Sequence, residues 1–216
     1  MSDLSNSSKI ASSLLGISAV SIVSDSKQAF QYASGLKGPI YCDNRKVISH
    51  PVLREMVMRE FVALMKKHSI VAQVIAGTAT AGIPHAAWLS QNLELPMVYV
   101  RSKGKAHGTG KLIEGDFSPG QEVLLIEDLV TTGGSALKAI QVLQEAELNC
   151  VGCLSIFDYG HQSVREKFKE AGTPFHPILT LDELLSVGSE EGALSEEQVQ
   201  TVLQWRDEPQ KWGENS

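Results

Sequence analysis

Between residues 123 and 136 the chain reads VLLIEDLVTTGGSA, and the order of those residue types has chemical consequences. An apolar run with the character of a buried strand delivers two adjacent carboxylates, Glu127 and Asp128, to its C-terminal end. Two residues later come Thr131, Thr132, Gly133, Gly134 and Ser135, which turn the chain into a helical pattern. Hydroxyls, glycine N–H groups and a helix N-terminus together make a cradle for an anion the size of a phosphate monoester. Carboxylates beside such a cradle suit sugar hydroxyls or a magnesium ion. One site thus offers donors to a 5′-phosphate and acceptors to the ribose that bears it. A plain strand end with a capped turn would need only one of these features, not the whole series in this order.

A second group of residues supplies the opposite charge. Arg101, Lys103, Lys105, His107 and Lys111 place five cationic groups within eleven residues. A charge run by itself only keeps a surface wet. Here, however, Gly104, Gly108 and Gly110 lie between the cations and let the backbone close over a ligand, and pyrophosphate carries the multiple charge such a cluster neutralises. A Walker loop is excluded, because Gly104 and Gly110 enclose five residues where four are needed and no helical pattern follows Lys111. A further glycine turn, AGTATAG at residues 76–82, has small residues at Thr78, Ala79 and Thr80 that allow backbone N–H groups to approach a ligand. The C-x-x-C of Cys150 and Cys153 is read as core: zinc would need two more ligands, and a redox pair should open a helix rather than enter a strand. His50, His68, His85, His161 and His176 have no partner visible in the sequence.

These groups must be held by a scaffold, and the hydrophobic pattern supplies one. Residues 51–68 open with proline and carry Leu53, Val57, Phe61 and Leu64 at helical spacing. Strands are expected at 71–76, 97–100, 122–127, 151–157 and, more weakly, 178–181. Helices are expected at 83–91, 134–147 and 163–171, and 102–115 reads as a long loop of the functional kind. Strands separated by helices of this length imply βαβ crossovers, so the fold class is α/β: a parallel twisted sheet flanked by helices. In such sheets ligands bind beyond the carboxyl ends of the strands. An amphipathic helix is expected over 10–23 and another over 194–205, where Ser195 and Gln198 have capping-box spacing. The end of the chain, 207–216, is expected to fray. The organisation expected is a small N-terminal hood (1–48), the core (49–188), and a C-terminal helix with its tail (189–216).

Composition bounds the rest. With 216 residues, 43% hydrophobic and 20% charged, the chain is globular and large enough for one core. Nineteen Lys and Arg against 25 Asp and Glu give a net charge of −6, which argues against a general nucleic-acid binder and leaves any polyanion to a local basic cluster. Three cysteines make no closed disulfide framework, which favours a reducing compartment and a cytoplasmic protein. No apolar stretch is long enough to span a membrane.

The 123–136 run resembles the phosphoribosyl pyrophosphate motif of the type I phosphoribosyltransferases. Two more segments narrow the resemblance: YVRSKGKAHGTGKLIEG at 99–115 is similar to the mobile catalytic loop of the orotate phosphoribosyltransferases, and SGLKGPIYCDNR at 34–45 to their N-terminal base-binding segment. The match covers residues 10–185 in element order. It implies that Glu127, Asp128 and residues 131–135 hold the ribose 5-phosphate. Thr78, Ala79 and Thr80 would grip pyrophosphate through Mg²⁺, with Glu127 and Asp128 as further metal contacts. It also implies that Arg101, Lys105 and His107 receive the leaving group, with Lys105, His107 and Asp128 as the catalytic set. Orotate is expected against Tyr41, Thr131, Arg45 and Lys37. The pattern is not met throughout, since Ala33, Ala81, Ser102 and Tyr159 stand where one branch carries basic residues; Arg45, with Lys37 behind it, is the candidate partner for the base carboxylate. The resemblance further implies a homodimer in which Lys105 and His107 complete the neighbour's site while Arg101 serves its own. Two other readings remain open on this scaffold: a regulatory protein that senses phosphoribosyl pyrophosphate, which should carry an added basic surface, and a purine phosphoribosyltransferase, which should lack the 34–45 segment.

Overall fold

The computed structural model describes residues 5–32, 35–102, 111–210 and 212. The chain enters as helix α1 (Asn6–Gly16), capped by the Ser5 side chain, which accepts from the Ser8 N–H. This helix starts and stops earlier than the 10–23 pattern predicts. Ser18 turns the backbone to φ +54°, and the β-branched Val20 and Ile22 then extend into β1 (Val20–Ile22) instead of continuing the helix. Short strands β2 (Phe30–Gln31), β3 (Lys37–Gly38) and β4 (Ile40–Cys42) follow. β1 pairs antiparallel with β4 and β2 with β3, so one small hairpin is nested inside another to form the hood.

A 3₁₀ turn at Asn44–Ser49 leads into α2 (Pro51–Lys67), which the sequence places to within a residue. The core then alternates: β5 (Val74–Thr78), α3 (Gly82–Leu93), β6 (Met97–Val100), β7 (Ile113–Glu114), β8 (Glu122–Val130), α4 (Gly134–Glu145), β9 (Asn149–Asp158), α5 (Gln162–Glu170), β10 (Phe175–Thr180), α6 (Leu181–Glu190) and α7 (Glu196–Asp207). One sheet of six strands results, in the order β10-β9-β8-β5-β6-β7. Its first five strands are mutually parallel, and β7 closes the edge antiparallel to β6.

Several boundaries differ from the sequence pattern for identifiable reasons. Gly77 lies inside β5 rather than ending it. A Cβ there would come within 2.9 Å of Ile83 Cα, so the missing side chain is what lets α3 pack close. Part of the 102–115 loop is strand β7, too short to show a period. β8 runs past the acids to Val130, which is buried and pairs with Asp158. α6 escapes the sequence reading altogether, although Thr180 and Glu183 cap it reciprocally. α7 begins at its own capping box, as Ser195 and Gln198 predict, and beyond it Trp212 packs against the core.

Two apolar layers cover the sheet. Ile75, Leu124, Ile126 and Leu154 face one side with α1, α2, α3 and α6, while Val74, Val123, Leu125 and Cys153 face the other with α4 and α5. Leu124, Leu125 and Ile126 have no exposed surface. Each contributes about 1.5–3 kcal/mol relative to an exposed side chain, which anchors β8 firmly between its neighbours. β5 and β8 lie side by side, with later strands added on opposite flanks of the pair. Their carboxyl ends form the topological switch point of the sheet.

Candidate active site

At that switch point lies a cleft of about 370 Å³. Its floor is the turn after β5, its far wall the end of β8 with the turn into α4, and its near wall the hood, with Tyr159 just beyond β9 between them. Both turns are tightly built. A Cβ on Gly82 would sit 2.4 Å from the Ile126 carbonyl oxygen, so only glycine lets α3 start directly against β8. Gly133 takes φ +77° as the N-cap of α4, with no side chain capping that helix. The first N–H groups of α4 therefore point toward the cleft without an intrahelical acceptor, flanked by the Thr131, Thr132 and Ser135 side chains that line it. In the β5 turn the Ala79–Thr80 peptide bond is cis.

Glu127 and Asp128 are the electrostatic centre. Burial pushes the Glu127 carboxyl well above the usual carboxylate range, and the neighbouring Asp128 adds to the shift; Thr78 draws it back. Thr78 Oγ1 and Glu127 Oε1 are both buried, yet neither closes a hydrogen bond of ordinary geometry. Burial also raises Asp128, against the pull of its own and the Leu129 N–H groups and of Arg45, while Asp43 pushes the same way as burial. The chain thus keeps Glu127 out of water with acceptor capacity left over and Asp128 half-buried beside it, where a hydroxyl-bearing ligand or a cation would satisfy them.

The hood is tied to this centre by hydrogen bonds. Asn44, fully buried, donates from Nδ2 to the Asp128 carbonyl at 2.7 Å, and its Oδ1 accepts from the Cys42 thiol at 3.3 Å. The Cys42 N–H donates to the Tyr159 hydroxyl at 3.1 Å. Arg45 donates to Asp43 Oδ1 at 2.6 Å and to the Tyr41 hydroxyl at 3.0 Å, which aims its guanidinium along the cleft wall.

The structure brings together Tyr41, Arg45, Thr78, Ala79, Thr80, Glu127, Asp128 and residues 131–135, all lining one cleft. It does not bring Lys37 there. That side chain is exposed on β3, and its carbonyl is held by Trp205 at 2.9 Å. Nor is Arg101 among the lining residues, because its guanidinium pairs with Glu114 of β7 at 3.0 Å, an interaction invisible before β7 was known. Lys105 and His107 lie outside the described residues. Sequence reasoning missed Gln31, Tyr32 and Cys42 on the hood wall and the role of Asn44. The DNR triplet placed Asp43 and Arg45 but carried no signal for the amide between them. Cys150 and Cys153 lie along β9, Cys153 fully buried. Among the described residues no cluster of three His, Cys, Asp or Glu side chains could by itself hold a metal. A magnesium ion at this site would be bound in the usual way for that ion, by one or two carboxylates together with substrate oxygens.

A doubly flanked parallel sheet with an uncapped helix start and an acidic pair at its switch point suits a phosphoribosyl-transfer scaffold, and the phosphoribosyl transferase domain model matches residues 58–174. An orotate phosphoribosyltransferase from Listeria monocytogenes is 45% identical over 205 residues, 95% of this chain and 97% of that one. Among solved structures, Leishmania donovani UMP synthase superposes with a TM-score of 0.81 at 26% identity over 93% of this chain, which spans 42% of that protein. Orotate phosphoribosyltransferase from Aeropyrum pernix superposes with a TM-score of 0.72 at 26% identity, over 86% of this chain and 99% of that one. The chain belongs to the orotate phosphoribosyltransferase family.

The raised carboxyls make a stability prediction. A carboxyl whose folded pKa lies above its unfolded value favours the folded state while protonated and loses that contribution as pH rises through the folded pKa. Glu127→Gln removes this loss. Its thermal midpoint should therefore gain on that of the unsubstituted protein as pH is raised from about 5 to about 9. Parallel pH profiles for the two proteins would show that Glu127 is not held protonated by burial.

Proposed function

We propose that the chain transfers the phosphoribosyl group of 5-phosphoribosyl 1-pyrophosphate to orotate, giving orotidine 5′-monophosphate and pyrophosphate, the step that commits a pyrimidine base to UMP. The observation that carries this reading is the meeting, in one cleft, of the uncapped start of α4 with the buried Glu127 and the half-buried Asp128. The helix start and its hydroxyls suit the 5-phosphate, and the acids suit the ribose hydroxyls beside it. In the reaction the bond from C1′ to pyrophosphate oxygen breaks, its electron pair leaving with pyrophosphate. Orotate N1 supplies the pair for the new bond as its N–H bond breaks, and the proton is taken up by the pyrophosphate released. Positive charge builds on the ribose ring between these events. Glu127, with a buried carboxyl oxygen unmet, and Asp128 beside it would stabilise that charge more than they stabilise the ground state. No covalent nucleophile is required. Mg²⁺, bound through substrate oxygens with Glu127 or Asp128, would neutralise charge on the leaving group.

On the acceptor side, Tyr41 and Arg45 offer a ring and a guanidinium on the hood wall, and Arg45 is our candidate for the orotate carboxylate. Lys105 and His107 are proposed to close over pyrophosphate, and closure excludes the water that would hydrolyse the donor. The protein is proposed to act as a cytoplasmic homodimer, each subunit lending Lys105 and His107 to the other. No helix among the described residues is long and apolar enough to cross a membrane.

The two sides of the cleft should separate kinetically. Thr132→Val keeps the volume and removes a donor, so it should raise the KM for phosphoribosyl pyrophosphate by the equivalent of about 1–3 kcal/mol. Arg45→Ala should instead raise the KM for orotate selectively. Loss of orotate absorbance in the presence of the donor and Mg²⁺ measures both. Failure of the unsubstituted protein to consume orotate in that assay would remove the functional reading.

Sharing of sites is tested by complementation. After subunit exchange between Lys105→Ala and Asp128→Asn proteins, a mixed dimer with sites completed in trans has one site carrying both lesions and one carrying neither. Activity should return toward half of normal per mixed dimer. If each loop serves its own subunit, mixing restores nothing.

A further inference from the structure

The C-terminal helix reaches the acceptor side of the cleft through one side chain. Trp205 of α7 is completely buried, but its surroundings are not those of an ordinary core tryptophan. Its indole N–H donates to the Lys37 carbonyl at 2.9 Å, in the β2–β3 hairpin. Its ring stacks on Tyr32, with centroids 5.7 Å apart and planes at 28°, and meets Tyr159 edge-on, at 5.7 Å and 82°. Tyr32 and Tyr159 both line the cleft, and they meet each other edge-on at 5.6 Å. Each tyrosine in turn fixes hood backbone: the Tyr32 hydroxyl donates to the Ile40 carbonyl, and the Tyr159 hydroxyl accepts from the Cys42 N–H. The hairpin is shaped to admit the indole, since a Cβ on Gly38 would lie 2.7 Å from the Trp205 ring and 2.8 Å from the Tyr32 hydroxyl. α7 is anchored independently, by its capping box and by Arg206, which pairs with Asp182 of α6.

We infer that Trp205 is a positioning residue for the acceptor subsite, holding Tyr32, Tyr159 and the β2–β3 hairpin at the spacing that admits the base. It touches neither substrate in this role and acts through the two tyrosines. Among the described residues Trp205 makes no ring contact or hydrogen bond of its own with the donor subsite, built on β5, β8 and the start of α4; Tyr159, whose N–H donates to the Val130 carbonyl at 3.1 Å, and Asn44 stand between them. The inference rests on the reading of this cleft as an orotate site. A tryptophan that only fills space would lower stability when shortened and leave the balance between the two substrates alone. One that sets the hood should disturb the acceptor selectively.

The experiment measures KM for orotate and for phosphoribosyl pyrophosphate, with thermal midpoints, in three variants. Trp205→Phe keeps a ring and removes the N–H. Gly38→Ala crowds the same contact from the hairpin side. Val202→Ala shortens another buried side chain of α7 and serves as the structural control. Trp205→Phe and Gly38→Ala should each raise the KM for orotate about fivefold or more while that for phosphoribosyl pyrophosphate stays within about twofold. Val202→Ala should lower the midpoint without changing the ratio of the two constants. If both constants move together in Trp205→Phe and Gly38→Ala, or neither moves, or Val202→Ala shows the same selectivity, the positioning role is overturned. If the unsubstituted protein consumes no orotate, the functional reading falls and the inference with it; activity in that protein with unselective variants removes the inference alone.

Discussion

Two carboxyl groups side by side at the end of β8, Glu127 buried and Asp128 half-buried, set the terms for the structure around them. Burial of such groups is unfavourable in the free protein, and both respond by resisting ionisation. They persist there because the fully buried run 123–126 of β8 carries them where its apolar anchoring residues dictate. A ligand that brings hydroxyls, a metal or developing positive charge to that spot recovers what burial took away. The cleft is therefore poised toward one kind of occupant before any is bound.

Everything else in the cleft is placed relative to that pair. α3 starts directly against β8 because Gly82 has no side chain, which sets the β5 turn beside Glu127. α4 starts from the left-handed Gly133, which leaves its N–H groups facing the cavity. On the opposite side, Asn44 links the hood to the backbone of Asp128 itself, so the hood wall is registered to the β8 wall by a hydrogen bond at 2.7 Å. Such a bond, with the Asn44 side chain fully buried, costs more to break than a surface contact would. The hood is thereby oriented from below by Asn44 and from behind by the tyrosines and Trp205.

Much of this was legible in the sequence because the features were local. Proline at the start of α2, the apolar run of β8 and the Thr-Thr-Gly-Gly-Ser turn each declare themselves within a few residues, and the βαβ alternation follows from their order. What the sequence hid was long-range. Arg101 was legible as a cation but not as the partner of Glu114, because a two-residue strand such as β7 has no period to detect. Lys37 was legible as a charge near the base segment, whereas the fold uses its carbonyl and leaves its side chain in solvent. Asn44 lay between two residues that attracted attention and bonds to an atom 84 positions away. Trp205 lay on a helix correctly placed, yet its partners come from the hood and from the end of β9, which only tertiary packing brings together. Local chemistry marked the donor side of the cleft; the acceptor side is assembled from three distant stretches of chain.

The central claim is that the turns after β5 and β8 receive phosphoribosyl pyrophosphate. Amide hydrogen exchange, followed by mass spectrometry with and without that compound and Mg²⁺, tests it at the backbone groups concerned. Ligand should slow exchange at residues 79–82 and 129–136 and leave the amides of α5 and β10 unchanged. Protection confined to other segments, with the two turns exchanging as fast as in the free protein, would contradict the account.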